Sequence, residues 1–307
     1  MTIDSTWLAA FKEDTPEAFT KKSPFRPDVV FVDGQIKLMQ GAQGDPVTWD
    51  DYIYRQFVRH LRKFFEQADT VVLAFDNYQE VPRAKCMTQI KRRKAIPAIP
   101  FADHCDLPCM VPDHEHWGSL ISNRTFKARV IDLVILRLPA LLLMNRPNKA
   151  LIIDYLRPIK YQWVGDRNIH RESLDHLVIM GEADVKFTRY ADLYGKLLVD
   201  SIDGDSVPIA LMHHEMCLER GDIPPDMSVY RMELKINKQP TTQEDKKRQR
   251  ESAKPARSYE YVNIPFLYRQ LVDAVKQSTG RAKCTPGLEN YEIRMLISLI
   301  ALTGTDP

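Results

Sequence analysis

The sequence predicts an α/β protein with a mostly parallel central sheet flanked by helices and with a basic insertion over the strand ends. Short apolar runs rich in β-branched residues alternate with segments of helical period. One helical segment separates the first two runs, as in a right-handed parallel crossover. Both of these runs end on an acidic residue, and open α/β sheets bind their ligands beyond the carboxyl ends of their strands.

The first crossover is the clearest element pattern in the chain. Residues 29–32 read Val-Val-Phe-Val before Asp33, and residues 70–75 read Thr-Val-Val-Leu-Ala-Phe before Asp76. Such continuous apolar runs are typical of strands buried on both faces. Between them, apolar residues recur at helical spacing from Thr48 onward, and Thr48 with Asp51 forms a predicted capping pair.

Further strands are predicted at 150–153, 177–180 and 196–199, and two more at 230–236 and 259–264 are expected to pair as a long hairpin. The most apolar stretch, 128–144, contains charged residues and a proline that would be costly in hydrocarbon. It is therefore predicted to be a buried helix and not a membrane span.

The length of 307 residues and the 44% apolar content fit one large domain, 1–307. Residues 81–117 are rich in Pro, Cys, His and basic residues and read as an arch-like insertion. Residues 239–258 carry almost no apolar side chain, which predicts a disordered loop.

Composition excludes several classes of protein. The net charge of +2 arises from 43 basic and 41 acidic residues, so any nucleic-acid signal must be local. Five cysteines do not suggest a disulfide framework, and an intracellular location, cytoplasmic in preference to nuclear, is expected. Glycine-rich nucleotide-binding patterns are missing from the sequence.

Two acidic pairs add to Asp33 and Asp76. Glu182 and Asp184 precede a helix-length segment, and Asp203 and Asp205 follow the predicted strand 196–199. A single such acid is more often a helix cap or a strand end. As a set they repel one another unless a cation compensates them, and hard oxygen ligands suit Mg²⁺. The set therefore favours a two-metal site that activates water.

These acids, followed by Asp306 within the segment 302–306, occur in an order that resembles the flap-endonuclease-like branch of the PIN-domain superfamily. That branch includes flap endonucleases and Xrn-type 5′→3′ exoribonucleases. The resemblance spans nearly the whole chain and implies a PIN-like α/β/α fold that holds two Mg²⁺ or Mn²⁺ ions. The metal-binding acids that it implies are Asp33, Asp76, Glu182, Asp184, Asp203, Asp205 and Asp306.

A basic motif follows Asp76 by a few residues. Lys85, Gln89, Arg92 and Arg93 have the spacing of one helix face, where guanidinium groups suit bidentate phosphate contacts. A basic helix face is commonly just solvated. With Arg83, however, these residues resemble the segment of Xrn-type enzymes that binds a 5′-terminal phosphate, and Lys85 is also expected to reach the scissile phosphate.

The chain departs from this family in two ways. Met39 stands where these enzymes usually place an aromatic residue or histidine that stacks on a base. The helical hairpin of flap endonucleases and the accessory domains of large exoribonucleases have no counterpart in the sequence. A protein partner that supplies carboxyl-terminal regions is therefore a further expectation.

The sequence thus predicts a 5′→3′ exonuclease that hydrolyses single-stranded RNA bearing a 5′ monophosphate, with RNA favoured over DNA and no membrane partner. Two alternatives stay open: a structure-specific, flap-type DNA 5′ nuclease, and a scaffold of the same fold that binds RNA or protein without cutting.

Two other segments contain clusters of residues that can bind metals or transfer protons. Cys105, Cys109, His114 and His116 offer four zinc-type ligands, but their spacing is not a standard one, and a surface loop is the favoured interpretation. The segment 213–215, His-His-Glu, is interpreted as a strand end or loop with polar tips and not as an acid–base centre.

Overall fold

The computed structural model describes residues 8, 12–39, 48–77, 106–166, 168–179, 181–201, 205–232 and 259–279. Nine strands occur in these ranges, namely β1 (Phe19–Thr20), β2 (Val29–Asp33), β3 (Thr70–Ala74), β4 (Ala150–Asp154), β5 (Pro158–Gly165), β6 (Asn168–Ser173), β7 (Lys196–Asp200), β8 (Asp226–Met232) and β9 (Tyr259–Asn263).

The helices in the described ranges are α1 (Gly34–Met39), α2 (Trp49–Ile53), α3 (Arg59–Phe65), α4 (His114–Ile121), α5 (Arg124–Leu143), α6 (Ala183–Leu193), α7 (Ser206–Arg220) and α8 (Ile264–Thr279). A π-helical turn, Tyr54–Val58, joins α2 to α3, and short 3₁₀ turns lie at Pro16–Ala18 and Asp175–Leu177. Within the described parts of the chain, none of the helices has both the length and the apolar character needed to cross a bilayer.

The chain folds as two compact units. The central unit comprises Arg26–Val199, and the terminal unit combines Met1–Phe25 with Asp200–Asp306. Asp200, the last residue of β7, is therefore also the first residue of the second segment of the terminal unit. The sequence predicts that residues 1–307 form a single domain, and this stays a prediction.

The central unit is built on a mixed sheet. Its strands lie in the order β7-β2-β3-β4-β5-β6. The pairs β2–β3 and β3–β4 are parallel, whereas β4–β5 and β5–β6 are antiparallel. The α/β class and the first parallel crossover are confirmed, but a mostly parallel sheet is not, because the unpredicted β5–β6 hairpin adds two antiparallel pairs.

The structure confirms most of the remaining predicted elements of the central unit. Strands at 150–153 and 196–199 are confirmed, as is the helix within 128–144. The predicted strand at 177–180 is wrong: Asp175–Leu177 is a 3₁₀ turn. The apolar run Leu-Val-Ile follows β6, which is the edge strand of the sheet and ends at Ser173. The run is short and is not part of a strand.

A buried aromatic cluster packs the helices of the central unit against one another. The rings of Tyr52 and Trp117 are 4.9 Å apart, and Phe57 and Phe126 complete the group. The indole N–H of Trp117 donates a hydrogen bond of 2.9 Å to the carbonyl of Leu38 in α1. Because α1 directly follows β2, this contact fixes the helix that begins at the end of that strand.

The terminal unit contains the three strands β1, β9 and β8 in that order, with both neighbouring pairs antiparallel. The β8–β9 pair confirms the predicted hairpin-like pairing of the segments near 230 and 259. Helices α7 and α8 belong to the same unit, and their apolar faces supply buried residues such as Leu211 and Leu271.

Candidate metal centre at the carboxyl ends of the strands

Acidic residues end two neighbouring strands of the central unit. Asp33 is the last residue of β2 and pairs with Ala74, and Asp76 lies two residues beyond Ala74. Asp33 is buried, with 7% of its surface exposed, and Asp76 is half-buried. Because β2 and β3 are parallel, both carboxylates lie at the same edge of the sheet.

Asp33 also caps the helix that follows it. Its Oδ1 accepts hydrogen bonds from the backbone N–H groups of Gln35 (2.8 Å) and Ile36 (3.3 Å). Gly34 is required between them, because a Cβ there would lie 2.6 Å from a ring carbon of Phe75. The close approach of α1 to the end of β3 therefore fixes the position of Asp33.

Asp76 is held by the segment that leads into α6. Asn77 and Gly181 exchange two backbone hydrogen bonds of 2.7 and 2.6 Å, and Gly181 has a φ of 132°, which favours glycine. Asp76 Oδ1 then accepts a hydrogen bond of 3.0 Å from the N–H of Ala183. The loop after β3 and the start of α6 thus form one connected structure.

Glu182 and Asp184 lie at this same helix start. Glu182 occupies the N-cap position of α6, and Asp184 lies in the first turn. Both are half-buried. The partial positive charge of a helix N-terminus favours nearby carboxylates, which offsets part of their mutual repulsion. Four predicted acids therefore lie at two strand ends and one helix start of the central unit, although no three of these described residues have ligand atoms within 4.8 Å of one another.

The other three predicted metal ligands do not belong to this group of described residues. Asp205 lies in the terminal unit, half-buried, at the start of α7, where its carbonyl accepts from the N–H of Ile209 at 3.0 Å. Asp203 and Asp306 lie outside the described residues. Their role as ligands stays a prediction.

A third strand-end acid, Asp154, was missed by the sequence reasoning. It ends β4 opposite Ala74, so it is level with Asp33 across β3. The signal was present, because Asp154 follows Ala-Leu-Ile-Ile just as Asp33 follows Val-Val-Phe-Val. Its surroundings differ, however, because a buried lysine and a tyrosine bind its carboxylate.

The buried lysine is Lys186 of α6, which is fully inaccessible. Its ammonium donates to Asp154 Oδ1 (2.8 Å) and to the carbonyls of Phe75 (2.9 Å) and Tyr155 (3.3 Å). The hydroxyl of Tyr190 donates to Asp154 Oδ2 (2.9 Å). Burial raises the pKa of Asp154 above its usual value, and the nearby ammonium and hydroxyl oppose this shift. Burial, followed by the Asp154 charge, also raises the pKa of Tyr190.

This network ties three elements together beneath the acidic edge. Because Lys186 bonds to the ends of both β3 and β4, α6 cannot move along the sheet without breaking a buried ion pair. The same helix carries Glu182 and Asp184 at its start. Lys186 therefore stabilises the arrangement of the candidate site while Asp154 is committed to an internal ion pair.

The predicted phosphate-binding residues Arg83, Lys85, Gln89, Arg92 and Arg93 lie outside the described residues, as does most of the predicted insertion 81–117. Its last residues, from His114, begin α4. The predicted loop 239–258 also lies outside the described residues.

The predicted zinc ligands gain no support. Cys105 lies outside the described residues, and Cys109 is exposed in a non-helical segment. His114 is the first residue of α4, and Asp113 caps that helix by accepting from the N–H of His116 (2.8 Å) and contacting its ring Nδ1 (2.6 Å). Among the described residues, Cys109 and His116 belong to no group of three or more potential ligands.

The interpretation of 213–215 as a strand end or loop is wrong, because these residues lie on α7 and are buried. The hydroxyl of Tyr268 in α8 donates to Glu215, and its ring is 4.8 Å from that of His214. Burial lowers the pKa of His214 to about 4. The apolar residues that precede the motif belong to the same helix, α7. His214 and Glu215 are buried where α7 packs against α8.

No family model matches the sequence, and no curated protein matches it significantly.

Proposed function

We propose that this protein is a metal-dependent 5′→3′ exonuclease that hydrolyses phosphodiester bonds of single-stranded RNA with a 5′ monophosphate. The observation that carries the proposal is the placement of Asp33 and Asp76 at the ends of two parallel strands, with Glu182 and Asp184 at the helix start to which Asp76 is hydrogen-bonded. They come from three distant parts of the sequence, and their order resembles that of flap-endonuclease-like nucleases.

The donor set fits magnesium or manganese. All four groups are carboxylates, and hard divalent cations prefer oxygen ligands. Asp33 and Asp76 each accept a hydrogen bond at a helix start through Oδ1, and an ionised carboxylate has two oxygens with about four lone-pair sites in all. The roles of Asp203, Asp205 and Asp306 as further ligands stay predictions from the sequence.

The chemistry follows from such a site. When bound, two cations would activate a water molecule and offset the negative charge that develops on the phosphate and the leaving oxygen. The chain itself would supply rigid carboxylates through two capped helices. Lys85, Gln89, Arg92 and Arg93 would seat the terminal phosphate, which gives the enzyme its preference for a 5′-phosphorylated end.

The test uses substitutions that remove charge and keep the cap. Asn in place of Asp33 or Asp76 retains an acceptor oxygen for the helix N–H groups but removes the negative charge. With 5′-monophosphorylated RNA and Mg²⁺, each variant is expected to lose about 10²-fold or more in rate. The control Asp50→Asn changes an exposed acid in the first turn of α2 and should leave the rate unchanged.

Three substrates separate the related activities. RNA with a 5′ monophosphate should be degraded to mononucleotides, whereas 5′-hydroxyl RNA should be degraded more slowly and 5′-flap DNA should not be the preferred substrate. Faster cleavage of flap DNA would replace the proposal with a structure-specific DNA nuclease. Cleavage that Asp33→Asn and Asp76→Asn leave intact would refute the metal assignment.

A further inference from the structure

Three tyrosines form a cluster on one face of β8 and β9. Tyr230 pairs directly with Tyr261, and Tyr259 pairs with the residue two positions after Tyr230. Since alternate residues of a strand point to the same face, all three side chains lie on one side of the sheet. The rings of Tyr230 and Tyr259 are stacked, 5.2 Å apart and 14° from parallel, and Tyr261 lies 4.8 Å from Tyr230.

The opposite face of these strands belongs to the core of the terminal unit. Val229 and Val262 are fully buried, and Glu260 is only 1% exposed. Each of the three tyrosines, in contrast, is partly exposed. A row of partly exposed aromatic rings on a sheet presents flat apolar surfaces on which other planar groups can stack.

The tyrosine cluster lies beside the chain segment that carries predicted metal ligands of the terminal unit. The carbonyl of Tyr230 accepts a hydrogen bond of 3.2 Å from the N–H of Ser201. Ser201 follows Asp200, whose charge contributes to the raised pKa of Tyr230, after burial and the charge of the Tyr261 phenol. Asp203 and Asp205 follow Ser201 in the sequence.

Positive charge lies at the neighbouring strand. Thr20 of β1 pairs with Tyr261, and Lys21 and Lys22 follow it directly, both exposed. Aromatic rings that bind bases, next to cations that bind phosphates, are the elements of a surface for single-stranded nucleic acid. A duplex could not stack on the rings in this way, because the faces of its bases are already stacked on one another.

We propose that Tyr230, Tyr259 and Tyr261 form a base-stacking platform for single-stranded nucleic acid. The inference rests on the proposed function and deepens it by naming where substrate bases bind. Stacking would hold the strand through contacts that do not depend on base identity.

The test is equilibrium binding of the full chain to a fluorescent oligoadenylate of about ten nucleotides, in EDTA so that no cleavage occurs. Tyr259→Leu keeps an apolar side chain but removes the ring, whereas Tyr259→Phe keeps the ring. We expect about tenfold weaker binding for the leucine variant and unchanged binding for the phenylalanine variant. Tyr261→Leu should weaken binding in the same way, and it provides a second probe if the first variant fails to fold.

An abasic oligomer of the same length serves as the matched ligand, because it has phosphates but no bases to stack. It should bind wild type and Tyr259→Leu equally. Equal affinity of wild type and both leucine variants for oligoadenylate, or no binding by wild type, would overturn the platform. If the leucine variants bind weakly while wild type cuts no RNA, the platform stands and the proposed function fails.

Discussion

At the scale of single residues, the site depends on side chains with two roles. Asp33 and Asp76 each accept hydrogen bonds from the start of a helix, and each lies at the end of a parallel strand. An acid at such a position is structurally useful without any metal. The charge-removing, cap-keeping Asp→Asn change therefore separates the two roles better than a change to alanine.

Among the described glycines, Gly34 leaves the least room for an added side chain. A Cβ there would lie 2.6 Å from Phe75 Cε1 and 2.8 Å from the carbonyl oxygen of Ala74. Gly34→Ala is therefore expected to lower the free energy of unfolding by about 1–3 kcal/mol, measured by urea denaturation. At Gly118 in α4 no atom lies within 4 Å of the added carbon, so Gly118→Ala should be neutral or stabilising. Equal effects of the two substitutions would contradict this packing.

Lys186 and Asp154 form the buried ion pair beneath the site. Lys186→Met leaves the Asp154 carboxylate buried without its partner, and the expected loss is roughly 3–5 kcal/mol of unfolding free energy. The double variant Lys186→Met with Asp154→Asn removes both charges and should recover a large part of that loss. If the double variant is as unstable as the sum of the two single variants, the groups are not coupled.

At the scale of elements, strands and helices differ in how far the sequence predicts them. The runs at β2, β3 and β4 are continuous and apolar, and the structure has strands there. The β5–β6 hairpin was missed because its strands mix charged and aromatic residues, for example at Lys160 and Arg171, on half-exposed faces. The motif 213–215 was misread because three adjacent polar residues conceal the helical period of α7.

The start of α5 illustrates how a side chain fixes an element boundary. Asn123 Oδ1 accepts from the N–H groups of Thr125 (2.9 Å) and Phe126 (3.2 Å). Asn123→Ala should cost about 1 kcal/mol of unfolding free energy because these groups lose their acceptor. Asn123→Asp keeps an acceptor and should cost little. Chemical denaturation of both variants measures the difference, and an equal loss in both would show that capping is not the cause.

At the scale of the whole molecule, the sequence predicts the fold class more completely than it predicts the candidate site. Strand-end acids can be recognised from sequence because each follows an apolar run. Which of them a cation could use cannot be read from sequence, since Asp154 has the same local pattern as Asp33 but is bound by Lys186 and Tyr190. That difference arises from a helix about thirty residues away, and only tertiary structure reveals it.

The pH dependence of stability is also a property of the folded molecule. Burial lowers the pKa of His214 to about 4 from 6.5, so between these values the unfolded chain binds more protons than the folded chain. This contribution is fully present above about pH 6.5 and is lost as the pH falls toward 4, by roughly 3 kcal/mol at most. His213 and Arg269 add to the lowering of the pKa, and Asp226 opposes it.

His214→Phe tests this contribution, because the ring still packs against Tyr268 but cannot be protonated. The unfolding free energy of the variant, measured between pH 7.5 and about pH 4.5, should fall less on acidification than that of wild type. Parallel pH profiles would show that His214 does not titrate differently in the folded and unfolded chains.

The most direct measurement of the central claim is a Mn²⁺ titration of the full chain, followed by electron paramagnetic resonance of the free ion. The account predicts about two bound ions per chain and a clear loss of affinity in Asp33→Asn and Asp76→Asn, whereas Asp50→Asn binds as wild type does. Absence of Mn²⁺ binding by wild type at millimolar concentration, or equal binding by all four proteins, would contradict the claim that these carboxylates form a metal centre.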